Sequence, residues 1–563
     1  MKKTLAIVLA LVMVIALFAA CGSTETETKT ETKTETKTTE NLVNEAKSAA
    51  QVSEKVEEVE HAKPISVRVA LQNSAVKMGP EMGVNPYNPI LACGVYENLA
   101  ERAYYGSTEI VGVLLKSWEA YNDDYSYHCE LYDYIVDQDG NPFTTADVEW
   151  CVNMQATEGN KKQAKKVEKV EIIDDYKFDI TFKENYDGFF CEFCEGTWFV
   201  TQAAYEKAQA DNGICVGTGP YRPTEFVSNS YLIVEKQPTY WQTNEDLRAV
   251  TSRANADVIR YDIVTEVTQM GIAISDNKTF QLACNVNEGL VPDVIAAEGS
   301  GNGMEVECVE SSQAKMFSFN CTENSLCQNA DLRRAICYAL NNEACAVANF
   351  SGIAYIPATL GITSLMDYDT AWETGDYYNY NMDKAREYLE KAGYDPKNAG
   401  ITLTYMGNNT VENQNIGVWI TGCLAELGIN VELMLVESAA TSTYYNDFAS
   451  GWDMRECGQT PSNLYNYLYL ASYADGSANG GHAIWGDESP ELQALVDKVK
   501  ANDADAFNEL RNMMIDDAYL YFFVGRYFCI VHDVNITNVV TNWRNCLCVG
   551  ACTFDEAYDH YAE

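Results

Sequence analysis

The chain has 563 residues, more than one ordinary domain holds, so two or three lobes with their own cores are expected. Hydrophobic residues make up 47 %, enough to build those cores, while Asp plus Glu (82) far outnumber Lys plus Arg (39) and leave a net charge of −43. Such a surface repels phosphate backbones and anionic headgroups, which sets nucleic acid aside as a partner and serves first of all solubility.

Lys2 and Lys3 give a positive start, and Leu5 to Phe18 is an unbroken apolar run of 14 residues ahead of Ala19, Ala20 and Cys21. A membrane-spanning helix needs about 20 apolar residues, so residues 1–20 read as an export signal. Small residues just before a cysteine resemble the bacterial lipobox, which implies that Cys21 is acylated and becomes the N-terminus. Phe18 departs from that motif's aliphatic residue, and the alternative is an ordinary signal with a coincidental cysteine. No later segment is apolar enough to span a bilayer, so attachment to the extracytoplasmic face of the cell membrane is expected through lipid alone. From Thr24 to Thr38, Thr alternates with Glu and Lys and offers no apolar face. Residues 21–63 therefore read as a tether, whose flexible reach is about 35 Å.

The packed body is expected from Pro64, and the alternation from Ile65 to Leu71 reads as its first strand. Asp139-Gly140 predicts a tight turn, and Thr144 with Asp147 predicts the cap of a helix running through Ala146 to Met154. A calcium loop on Asp137, Asp139 and Asn141 fails, because Gly140 comes too early and no closing Glu follows. Gly217-Thr218-Gly219-Pro220-Tyr221 predicts a turn into a hairpin tipped by Ser228-Asn229-Ser230, then Tyr240-Trp241. A phosphate loop fails there, since neither a helix nor Lys-Ser/Thr follows the glycines. Phe317-Ser318-Phe319-Asn320 predicts a short strand, and Leu332, Ile336 and Ala339 recur at helical spacing after it. From Asn381, a helix stopped by Gly393, a strand from Ile401, a long helix stopped by Gly428 and a strand from Ile429 follow, then Trp452-Asp453-Met454.

These four stretches, in this order, resemble the family 5 extracellular solute-binding proteins, the group that includes oligopeptide- and dipeptide-binding proteins. The Gly-Thr-Gly-Pro-Tyr turn with its hairpin and Tyr-Trp pair is the most specific part of the likeness, which spans about residues 65–545. The resemblance implies an α/β, bilobed, periplasmic-binding-protein-like fold of type II, of the large kind with an extra domain. Lobe I is expected from 64–97 with 215–316 and 511–563, the extra domain from 98–214, and lobe II from 317–510. It also implies a monomer that holds a small-molecule ligand in the cleft, closes over it by hinge bending, and hands it to the permease subunits of an ABC importer. No catalytic residue and no cofactor are implied.

Peptide is the leading ligand, with sugars and other small organic solutes as alternatives; 5 His make nickel and haem poor fits. Peptide-binding members carry an Asp a few residues past the Asp-Met, whereas the stretch from Arg455 to Asn463 has none, and only Glu456 offers a carboxylate. Asn85, Tyr87, Asn320, Trp452 and Arg455 are the expected cleft residues: an aromatic stacks on a ligand and an Arg forks a carboxylate. The competing assignment makes Trp452 core and Arg455 a surface ion-pair partner. Tyr221 reads as a structural hairpin residue. The 18 cysteines besides Cys21 lack the spacing of a disulfide framework, and Cys191-x-x-Cys194 lacks the second pair of a metal site, so no metal is expected. Two rivals stand: a surface-anchored hydrolase, which lacks a Gly-x-Ser-x-Gly elbow and a His-Glu-x-x-His helix but has carboxylates to spare, and a binding-fold sensor lipoprotein without an importer.

Overall fold

The computed structural model describes residues 61–561, apart from 73–77, 81–93, 105–106, 108, 123–124, 159–160, 184–187, 212, 299–300, 364, 446, 460–465, 475–485, 487–489 and 543–545. The export signal, Cys21, all but the last residues of the tether, and the candidate residues Asn85 and Tyr87 lie outside the described residues. Among the described residues, no helix is long and apolar enough to cross a membrane.

Alternation along β1 (Ser66–Leu71) turns Val67 and Val69 into a core. An antiparallel pair follows, β2 (Ala100–Arg102) with β3 (Ile110–Gly112). Then β4 (Leu115–Tyr121), β5 (Ser126–Leu131), β6 (Val167–Ile172) and β7 (Lys177–Phe182) make a separate antiparallel sheet in the order β4-β5-β7-β6. The chain continues through β8 (Tyr221–Val227), β9 (Tyr231–Lys236), β10 (Val258–Ile263), β11 (Leu282–Cys284) and β12 (Met304–Phe319). After β13 (Ala354–Tyr355) come β14 (Ile401–Asn408), β15 (Ile429–Val436), β16 (Met454–Gln459) and β17 (Leu520–Asp533). With β1 these form one sheet ordered β15-β14-β16-β12-β17-β11-β1-β10-β9-β8, with β13 paired on β17.

The axis of this sheet is the antiparallel pair β12–β17, from Met304 opposite Asp533 to Ser318 opposite Leu520. Its register shifts between Glu310 and Ala314 and again between Lys315 and Met316, irregularities that bend and twist a ladder. β17 is buried along nearly its whole length, as an apolar strand covered on both faces must be. Among the described residues, apolar side chains gather into three clusters. The largest includes Val67, Leu99, Phe143, Phe193 and Tyr221, so the β4–β7 sheet shares a core with β1 and the β8–β9 hairpin. The second draws only on residues 314–524, with Phe317 stacked on Phe523 at 4.3 Å. The third packs Met270, Val306, Cys308 and Val531. The segment 511–524 thus packs with the second cluster, beyond the boundary expected at residue 510.

Local rules account for the joints. A Cβ on Gly217 or Gly219 would lie 1.9 Å from the Val95 carbonyl oxygen or 2.0 Å from that of Gly94, so the turn before β8 tolerates no side chain at either. Tyr221 then donates to the Ala256 carbonyl at 2.7 Å and is buried, which makes it a structural residue. The Asp147 carboxylate accepts from the Thr144 N–H at 2.9 Å and so starts the helix Thr145–Thr157. The helix Met382–Lys391 is capped by Asn381 and ends before Gly393, whose φ of 92° suits glycine. Gly428, at φ 66°, follows the helix Val411–Ala425 in the same way.

Candidate functional site

Where β12 and β17 run between the apolar clusters, the register shifts and charge enters the interior. Lys315 of β12 faces Glu456 of β16 at 2.9 Å and Glu412 at 2.5 Å. Glu412 sits in the first turn of the helix Val411–Ala425, where the helix dipole favours a carboxylate. Its other oxygen is 3.9 Å from Arg526 of β17, whose Nη2 and Nε both donate to Glu288 Oε1, at 2.6 and 2.7 Å. Glu288 opens the short helical turn after β11, next to the third cluster. Five charges thus form a ladder, Glu288–Arg526–Glu412–Lys315–Glu456, that joins elements of the second cluster to elements outside it.

At Lys315 and Glu412 burial opposes charge, yet the pairing prevails. Burial works against the Lys315 ammonium, but Glu456 and Glu412 more than offset it and push its pKa up to about 12. Burial likewise pulls Glu412 toward the neutral acid, and Lys315 with Arg526 reverses the balance and holds it below the usual carboxylate range. A buried network of this kind is intolerant of losing one partner, because the remaining charge stays out of water. Chemically the ladder can hold and orient charge. Both Glu412 and Glu456 are fixed by Lys315, so neither is left unpaired.

Asn320, directly after β12, spends its amide on the protein: Nδ2 donates to the carbonyls of Phe448 at 2.9 Å and Trp452 at 3.0 Å, and Oδ1 accepts from the Thr322 N–H and hydroxyl. Trp452 is fully buried, and its Nε1 donates to the carbonyls of Tyr444 and Asp447. Arg455 is 1 % exposed, not a surface residue. Its guanidinium lies 4.5 Å from the Tyr445 ring and 5.0 Å from the Trp452 ring, and Nη1 donates to the Tyr445 carbonyl at 2.8 Å. Its Nε has no hydrogen-bond partner among the described residues. The structure therefore brings Asn320, Trp452 and Arg455 into one wall around residues 444–455, with Glu456 of the ladder next in sequence. Glu456, the carboxylate considered for a ligand amine, is already engaged by Lys315. Lys315, Glu412, Arg526 and Glu288 carry no local sequence signal of their role. A cavity of ≈ 400 Å³ lined by Lys63, Lys236 and Asp257 and another of ≈ 430 Å³ lined by Asp133, Asp174 and Lys177 both lie away from this region.

With this geometry in hand, comparison with known proteins places the chain. The model of the bacterial extracellular solute-binding proteins, family 5 Middle, matches residues 109–479. The glutathione-binding protein GsiB of Pectobacterium atrosepticum is 23 % identical over 337 residues, which are 59 % of this chain and 62 % of that relative, so the match spans less than two thirds of the relative's length. The probable D,D-dipeptide-binding periplasmic protein DdpA of Escherichia coli is 21 % identical over 443 residues, 75 % of this chain and 80 % of that one. A crystal structure of the ABC transporter substrate binding protein CtaP from Listeria monocytogenes superposes with a TM-score of 0.71 at 18 % identity, covering 88 % of this chain and 100 % of that chain. The fold is thus the mixed α/β fold of type II periplasmic binding proteins.

Proposed function

Because the chain belongs to the family 5 bacterial extracellular solute-binding proteins, we propose that it captures a peptide or a similar small solute and delivers it, unaltered, to the permease subunits of an ABC importer. The match over residues 109–479 carries this reading. It is a family of binding proteins, not enzymes. The names of the two sequence relatives favour short peptides, glutathione and D,D-dipeptides among them. Two lobes, divided along β12 and β17, close over the guest, and the charge ladder lies where that bending is concentrated. Asn85 and Tyr87 are the proposed contacts from lobe I. Asn320, Trp452 and Arg455 shape the opposite wall. Cys21 carries the lipid that holds a monomeric protein at the extracytoplasmic face of the membrane.

The test is a thermal-shift screen of the whole protein against glutathione, D,D-dipeptides, mixed L-peptides and sugars. A ligand that prefers the native state raises the Tm, by an amount that grows with its concentration over Kd. A peptide arm is expected to give the shift, with the peptide recovered at unchanged mass. A shift from sugars alone moves the ligand class, and recovery of cleaved peptide ends the transport reading. Radioactive palmitate incorporation that survives in Cys21→Ser removes the anchor assigned to Cys21.

A further inference from the structure

Cys308 of β12 and Cys529 of β17 stand directly opposite each other in the antiparallel ladder. Their sulfurs are 3.3 Å apart, and the residues are 2 % and 0 % exposed. Opposed residues of an antiparallel pair have Cα atoms about 4.5–5.5 Å apart, within the roughly 4.4–6.8 Å that a disulfide spans. The backbone is therefore already placed for a bond of about 2.05 Å, and the sulfurs need to approach by only about 1 Å through side-chain rotation. The location matters as much as the distance. Positions 308 and 529 bracket the whole of the second apolar cluster, residues 314–524, at its root.

We propose that Cys308 and Cys529 are an oxidation site, closing reversibly into a cross-strand disulfide that ties together β12 and β17 at the root of the second apolar cluster. The oxidant is a small disulfide. One cysteine thiolate attacks a sulfur of that disulfide and expels the first thiolate leaving group. The second cysteine gives its proton to solvent, attacks the mixed disulfide, and expels the other leaving group. Two cysteine thiols are oxidised to one S–S bond, and the small disulfide is reduced to two thiols once these take up the two protons. Contact with Cys308, and then burial, push the Cys529 thiol well above its ordinary value, and both cysteines are enclosed by the closed sheet. The bond accordingly forms as β12 and β17 first pair or transiently open, rather than by direct attack on the closed sheet. Once formed, it closes a loop of more than two hundred residues, the regime in which cross-linking restricts the unfolded chain most.

Full-length protein is unfolded in reductant and refolded in a mixture of oxidised and reduced glutathione. Free thiols are blocked with iodoacetamide under denaturing conditions, and the chain is digested without reduction. The expected result is a peptide pair joined at Cys308 and Cys529, with a Tm raised by about 5 °C that added dithiothreitol removes. Cys308→Ala and Cys529→Ala are each expected to lose both the linked pair and the reductant-sensitive rise, while their reduced forms unfold cooperatively near the reduced wild type. Recovery of both cysteines alkylated, or linked to other cysteines, overturns the proposal, and the wild-type peptide map decides this even should a variant fail to fold. Linkage without a reductant-sensitive Tm difference overturns the stapling role.

Discussion

Two groups of buried carboxylates in this molecule meet the same problem with opposite solutions. In the first, Glu97, Glu101 and Glu195 lie between β2, the helix Phe189–Gly196 and the segment before β10, with Arg102 as the cation bound to Glu195. Glu97 accepts from the Tyr240 and Ser252 hydroxyls and the Trp241 indole, and Glu101 accepts from the Thr251 hydroxyl at 2.8 Å. Burial, reinforced by Glu195 and Glu97, pushes Glu101 up to about 8, so it stays protonated at neutral pH. In the second, Glu288, Glu412 and Glu456 share Lys315 and Arg526, and Glu412 is held below its ordinary range. Burial is common to both groups. The supply of cations decides whether a buried carboxyl keeps its proton or its charge. Glu101, the protonated member, lies among elements that share one apolar cluster. The group around Glu412 joins elements of different clusters.

The difference between the two groups is largest at Lys315. Lys315→Met leaves the buried Glu456 and the partly exposed Glu412 without their shared partner and is expected to lower stability by about 3 kcal/mol in urea unfolding at pH 7. Part of the loss should return as acid protonates those carboxyls. A loss below about 1 kcal/mol would mean that the ladder is screened like a surface pair. Glu101 comes next. Its folded pKa lies above its ordinary 4.5, so its contribution is complete below that value and is lost as pH rises from about 4.5 to about 8. One proton bound in this way gives a slope of about 1.4 kcal/mol per pH unit. Glu101→Gln should flatten the stability–pH profile by that amount across the window, as read from urea midpoints at pH 5, 6, 7 and 8. An unchanged profile would mean that Glu101 is ionised. The smallest effect belongs to Thr251→Val, which removes the hydroxyl that Glu101 accepts from and should cost about 1 kcal/mol at neutral pH without altering the ladder. Equal sensitivity of the Lys315→Met variant and this one would erase the distinction between the groups.

Much of the fold was legible because its signals are local. Gly217, Gly219 and Tyr221 announced a turn whose backbone approach excludes any side chain, and the Thr144–Asp147 pair and Gly393 marked helix ends within a few residues of where they fall. The order of those signals also carried the family. The site was less legible. Arg455 is not the surface ion-pair partner that its charge allowed: it is buried against the Tyr445 and Trp452 rings. Glu456 is the one carboxylate between Arg455 and Asn463, and Lys315, on the neighbouring strand β12, occupies it.

The sequence by itself determined which segments turn, cap and alternate, and through their order the family to which the chain belongs. Those choices rest on φ preferences, hydrogen bonds a few residues long and the period of apolar positions. The tertiary structure alone decided which charges are buried together and which cysteines face each other. Arg526 reaches Glu288 across 238 positions and Cys308 meets Cys529 across 221, and such pairings are fixed by strand register and the bend of β12 against β17, which no local pattern encodes.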